Sequence, residues 1–152
     1  MLPGKAVDLR LQQARSIMFS GKINIVTGFG FLMLFMLYGF LLIYLRDFAP
    51  GKAQWIADYA VGKHFESRLA HVHGNLFALL NIAVGLVLLR LPHLAGRRWI
   101  AGLTLTGMLM PLGILTEVVF GVPPLFVIVG GVSMVLAMGW LALAVWQAEI
   151  PA

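Results

Sequence analysis

Four stretches of this chain carry almost no charge, and each is long enough to cross a bilayer. Residues 23–44 hold no Asp, Glu, Lys or Arg. At about 1.5 Å per residue they rise about 33 Å, against a hydrocarbon core of about 30 Å. Residues 69–89 lack the same four types but contain two His and two Asn. Residues 99–119 are interrupted by Pro111 and a single acid, Glu117, and residues 125–146 are again uncharged. Lipid offers backbone amides no hydrogen-bond partner, so such segments must satisfy themselves as helices. A β-barrel would need alternating segments of about ten residues, and the sequence shows none.

The predicted fold is therefore all-α, an integral membrane four-helix bundle forming a single membrane domain over residues 1–152. The spans are predicted at about 23–44, 67–91, 99–119 and 125–146. With 61% apolar and 11% charged residues, the chain is too poor in charge for an ordinary water-soluble domain or for intrinsic disorder. The first span is too long for a signal-peptide core, and Arg46-Asp47 stands where a small-residue cleavage site would lie, so it reads as a retained anchor. Before it, Val7, Leu11, Ala14 and Met18 recur at helical spacing, with Asp8, Gln12 and Arg15 on another side. That pattern predicts a short N-terminal interfacial helix at about residues 3–20, lying in the headgroup plane.

The net charge of +5 could suggest nucleic acid, but the basic residues flank the spans. Lys5, Arg10, Arg15, Lys22, Arg90, Arg97 and Arg98 fall on one side, and Arg46, Lys52, Lys63 and Arg68 on the other. Seven against four places both termini in the cytoplasm. The long connection from Arg46 to Arg68 contains Gln54 to Tyr59 (QWIADY), an expected interfacial segment. Phe120 to Pro124 (FGVPP) reads as a tight link, and Pro111 with Gly113 as a kink. The absence of cysteine excludes disulfides, iron–sulfur clusters, thiolate ligands and cysteine nucleophiles.

Chemistry concentrates in the second span. At about 100° per residue His64, Arg68, His71, Gly74, Asn75, Ala78, Asn81, Ile82 and Gly85 share one stripe of polar and small residues. Ionisable groups at membrane depth are costly and mark a site by default. His73 is turned about 200° from His71, and His64 stands about 10.5 Å from it along the axis. These rings therefore cannot share a mononuclear metal, and a closed zinc site lacks ligands. One axial imidazole is enough for haem, given a flat apolar slot and a cation for the propionates. His71 would be the metal ligand and Arg68 the cation, with Gly74 and Ala78 leaving room for the ring. The alternative is that His71 only hydrogen-bonds a neighbouring helix. His73 reads as an interfacial residue and His93 as a solvated one. Glu117 would be a proton donor or acceptor beside a cofactor, or a structural partner of Arg68. The scattered methionines read as packing, and Gly130-Gly131 and Gly139 as close helix contacts.

From Ala70-His71 and Ile82 to Leu88 (IAVGLVL), the chain resembles the styrene oxide isomerase family. Length, span count, the long first outer loop and Gly30 to Gly39 agree with it. The resemblance implies a small bacterial membrane enzyme binding haem b at the subunit contacts of a trimer. Its iron would be a Lewis acid that opens an epoxide to a carbonyl compound. His71 would be the axial ligand and Asn75 with Glu117 the nearest polar assistants of a small apolar substrate. Two family positions differ: the substrate-binding Asn corresponds to Phe77, and a helix-three Tyr to about Thr116. Two other classes stay open, a haem or electron-transfer subunit without catalysis and a cofactor-free accessory subunit.

Overall fold

The computed structural model describes the backbone of residues 3–91 and 98–148, and the side chains of residues 21–91 and 98–148. Among them every regular element is helical: α1 (Pro3–Asp47), α2 (Lys52–Ala57), α3 (Gly62–Arg90), α4 (Arg98–Gly107), α5 (Leu109–Phe120) and α6 (Leu125–Trp146). Four helical stretches are long and apolar enough to span a membrane: Gly21–Asp47, Gly62–Arg90, Arg98–Phe120 and Leu125–Trp146. The protein is a multi-pass helical membrane protein. α1 packs along α3, α3 against α4 and α5, and both of those against α6.

Lipid tails are as apolar as leucine, so burying apolar side chains gives the helices little reason to associate. Close packing and hydrogen bonds must do it instead. The antiparallel α1–α3 pair shows how. On α3, His64, Ser67, Ala70, Gly74, Ala78, Asn81, Gly85 and Leu88 are all buried, steps of three or four residues that keep one seam toward its partner. Small residues on both helices let the backbones meet. A Cβ on Gly85 would stand 2.6 Å from the Gly21 carbonyl oxygen, and one on Gly28 would stand 2.7 Å from that of Ala78. Further out, Phe35 (0% exposed) fills the space over Gly74.

A buried polar network ties the seam to the third span. The Asn24 amide donates to Asn81 Oδ1 (2.9 Å) and the Ala101 carbonyl (3.2 Å), and Asn81 Nδ2 donates to the carbonyls of Phe77 (3.0 Å) and Thr104 (3.1 Å). Both asparagines are fully buried, and Asn24 Oδ1 has no partner among the described residues. Asn81→Leu is expected to lower stability by about 1–3 kcal/mol, because it removes one of the two acceptors of the Asn24 amide and the donor to the Thr104 carbonyl from a buried network. The double change with Asn24→Leu should cost less than the two single changes summed. Thermal unfolding of the four proteins in detergent measures that coupling.

Two elements differ from the sequence expectation. The segment expected as a separate interfacial helix is helical, but α1 runs through it into the first span without a break, 45 residues in all. No residue between Gly4 and Asp47 is a proline, so nothing removes a backbone donor there. The third span is interrupted near Pro111, with the break at Met108, between α4 and α5. The Pro111 ring conflicts with the carbonyl four residues back, that of Gly107, and the chain takes a tighter turn there, with Met108 N–H bonded to the Leu105 carbonyl at 3.0 Å. Gly130 of α6 lies against this break, where a Cβ would come 2.9 Å from the Gly107 oxygen. The FGVPP link is tight as expected: Gly121 (φ 66°) closes α5 in the left-handed region, its N–H on the Glu117 carbonyl. The QWIADY segment forms the short α2 and the turn after it.

Candidate functional site

Past Phe35 toward the long connection, the α1–α3 seam opens into a cleft of about 560 Å³. The α3 wall is polar, from His64 and Arg68 to His71 and Asn75; the α1 wall is apolar, with Met36, Phe40 and Ile43, and Arg46 at its outer end. Helical spacing makes this wall: residues 64, 68, 71 and 75 return to one side every three or four positions. Among the described residues, no carboxylate lines the cleft.

His71 stands in the middle of the polar wall, facing Gly39. A Cβ on Gly39 would lie 2.7 Å from His71 Nε2, so α1 leaves the imidazole room only by lacking a side chain there. Asn75 Nδ2 donates both to His71 Nε2 (3.1 Å) and to the His71 carbonyl (3.0 Å), while its own Oδ1 is buried without a partner among the described residues. Tyr38 approaches from α1, ring centroids 6.3 Å apart.

The outer end is held by aromatic rings. His64 is buried, stacks on Trp55 of α2 at 4.3 Å and 20°, and donates from Nδ1 to the Trp55 carbonyl. Tyr59 meets His64 edge-on at 5.3 Å. The Arg68 guanidinium lies 3.6 Å over the Tyr59 ring and donates to the Tyr59 carbonyl at 3.1 Å. The other arginine is engaged differently: Arg46 makes two bonds to its neighbour Asp47, at 2.8 and 2.7 Å.

Of the residues singled out in the sequence, Arg68, His71 and Asn75 meet in this cleft. Gly74 and Ala78 do not open a slot for a ring. Phe35 occupies the space at Gly74, and Ala78 is fully buried against the α1 backbone at Gly28. Close helix approach uses up the room that their small size creates. Glu117 is half-buried on α5, does not line the cleft, and makes no hydrogen bond or ion pair among the described residues. The expected Glu117–Arg68 pair is absent there. His73 faces away, donating from Nδ1 to the Leu69 carbonyl at 2.8 Å on its own helix. His93 and Arg97 lie outside the described residues. Among those described, no three His, Asp or Glu side chains converge as a metal site.

Sequence reading missed Gly39, Trp55 and Tyr59 as site residues. Their role comes from the register of α1 on α3 and the fold-back of α2, and only the aromatic pair at headgroup depth carried a signal. No family model, curated protein or solved structure matches this chain.

Proposed function

We propose that this is a haem b-binding protein of the bacterial cytoplasmic membrane, with both termini inside, in which His71 supplies one axial imidazole. The observation that carries the reading is the cleft itself, an imidazole opposite a glycine between an apolar wall and two arginines. The donor set suits haem: a neutral nitrogen ligand, guanidinium groups for propionates and an apolar enclosure. One exchange is needed, because His71 Nε2 accepts a bond from Asn75. A neutral hydrogen bond of this kind contributes about 0.5–1.5 kcal/mol, and the Asn75 amide keeps its second bond to the His71 carbonyl.

Held there, haem would supply Lewis-acid chemistry toward the oxygen of a small apolar epoxide, whose opening to a carbonyl compound involves no net redox change. The chain's own part is to hold and exclude. His71 fixes the group, Arg68 and Arg46 anchor its polar edge, and the α1 wall keeps water away from the substrate. Asn75 is the nearest neutral donor. Glu117 lies away from this cleft, so the proposal assigns it no step. The family resemblance further suggests a homo-oligomer, a trimer, around the lipid-facing side of the cleft.

Haem titration of protein purified in detergent tests the reading. Asn75→Leu removes the competitor for Nε2 and is expected to tighten haem binding about two- to tenfold. No change in affinity, or a loss, would contradict that role. The same His71–Asn75 bond favours a second reading, a cofactor-free accessory subunit whose polar wall serves helix packing. That reading expects the Soret absorption of added haem to be the same with the protein as in detergent alone, at any haem concentration.

A further inference from the structure

Arg68 is a half-buried guanidinium with no carboxylate partner among the described residues. No acid among the described residues pairs with it. Asp47 takes Arg46, Asp58 takes the Gln54 amide at 2.8 Å, and neither Glu66 nor Glu117 bonds to Arg68. A guanidinium at the edge of a low-dielectric region without a counter-charge is costly, and arginine cannot shed its proton to escape the cost. It is nonetheless held firmly, stacked 3.6 Å over Tyr59 and bonded to the Tyr59 carbonyl at 3.1 Å. Tyr59 in turn rests on His64, which rests on Trp55. One of five N–H groups goes to that carbonyl, so the others remain for a ligand. From Arg46 to Met36 the apolar wall descends about 15 Å along α1, directly inward from this cation.

We propose that the cleft binds a long-chain amphiphile bearing one carboxylate, its head on the Arg68 guanidinium and its tail along Met36, Phe40 and Ile43. The arginine fork matches a carboxylate in geometry as well as charge. Phe35, the residue before Met36, is buried and fills the seam over Gly74. The inference stands on the cleft alone and is tested on protein without haem, so its failure and that of the haem reading are distinguishable.

The test uses full-length protein in a neutral detergent with Trp99, Trp140 and Trp146 changed to Phe. Trp55, stacked on the cleft residue His64, is then the sole tryptophan. Brominated stearate is titrated as a quencher against its methyl ester. The acid should quench saturably and the ester should not. Arg68→Gln should weaken the acid about tenfold or more, and Arg68→Lys, which keeps the charge but loses the fork and the stacking on Tyr59, should fall between that variant and the parent. Equal quenching by acid and ester would overturn the proposal, as would an unchanged affinity in a folded Arg68→Gln protein. If that variant does not fold, the contrast between acid and ester in the parent decides. Saturable quenching by brominated phosphatidylglycerol as tight as that by the acid would make the ligand a lipid headgroup and overturn the carboxylate assignment.

Discussion

Gly85→Leu is expected to abolish the α1–α3 pairing, with a loss of at least about 3 kcal/mol and a fall in Tm of about 10 °C or more. A Cβ there would stand 2.6 Å from the Gly21 carbonyl oxygen and 2.7 Å from Ile25 Cγ1. The first of these is backbone, which cannot rotate aside. The helices would have to part, and the hydrogen bonds of Asn24 to Asn81 and Ala101 would break with them. Gly28→Leu should act alike, since its Cβ meets the Ala78 oxygen at 2.7 Å. Gly102→Leu is the control: nothing lies within 4 Å of a Cβ at that position, so the change should stay within about 0.5 kcal/mol. Thermal unfolding in detergent, followed by circular dichroism, compares the three. If the three variants melted together, close backbone approach would not be what joins these helices.

His71→Ala is expected to lower haem affinity by at least about a hundredfold, the upper end of what losing a supporting outer-shell group costs a metal site. The substitution also frees the Asn75 amide from one of its two bonds, so a modest loss of stability should accompany it. Adding free imidazole to the variant should restore absorbance, because the cleft would then admit the missing ligand. His73→Ala should leave haem binding unchanged, since that ring is bonded to the Leu69 carbonyl on the opposite side of α3. Haem titrations of the three proteins, read by absorbance, separate the ligand from its neighbour. A variant at His71 that binds haem as the parent does would remove this residue from the site.

The membrane architecture was legible because long uncharged segments leave lipid-exposed backbone one solution, and the four spans lie where charge stops. The polar stripe on the second span was legible too, since helical geometry alone puts His64, Arg68, His71 and Asn75 on one side. What that stripe faces was not. Gly74, Ala78 and Gly85 are consumed by packing against α1, and only the stripe's outer part, as far as Asn75, lines a cleft. A single sequence does not tell a glycine that admits a ligand from one that admits another helix. Gly74, which receives Phe35, and Gly39, which receives His71, are alike as letters and opposite in use. Asn24 was overlooked for a related reason. One asparagine in an apolar span carries no periodic signal, and its importance comes from partners 57 and 77 residues away. The displacement of the helix break to Met108 follows from proline chemistry, which acts on the carbonyl one turn earlier.

The haem assignment of the cleft is tested most directly by the absorption spectrum of the native protein, purified in detergent with haem supplied, before and after dithionite. A Soret band of high-spin, singly ligated ferric haem that shifts on reduction is the expected result. A low-spin spectrum would mean a second axial ligand and contradict the Lewis-acid reading. The absence of any Soret band would contradict haem binding altogether.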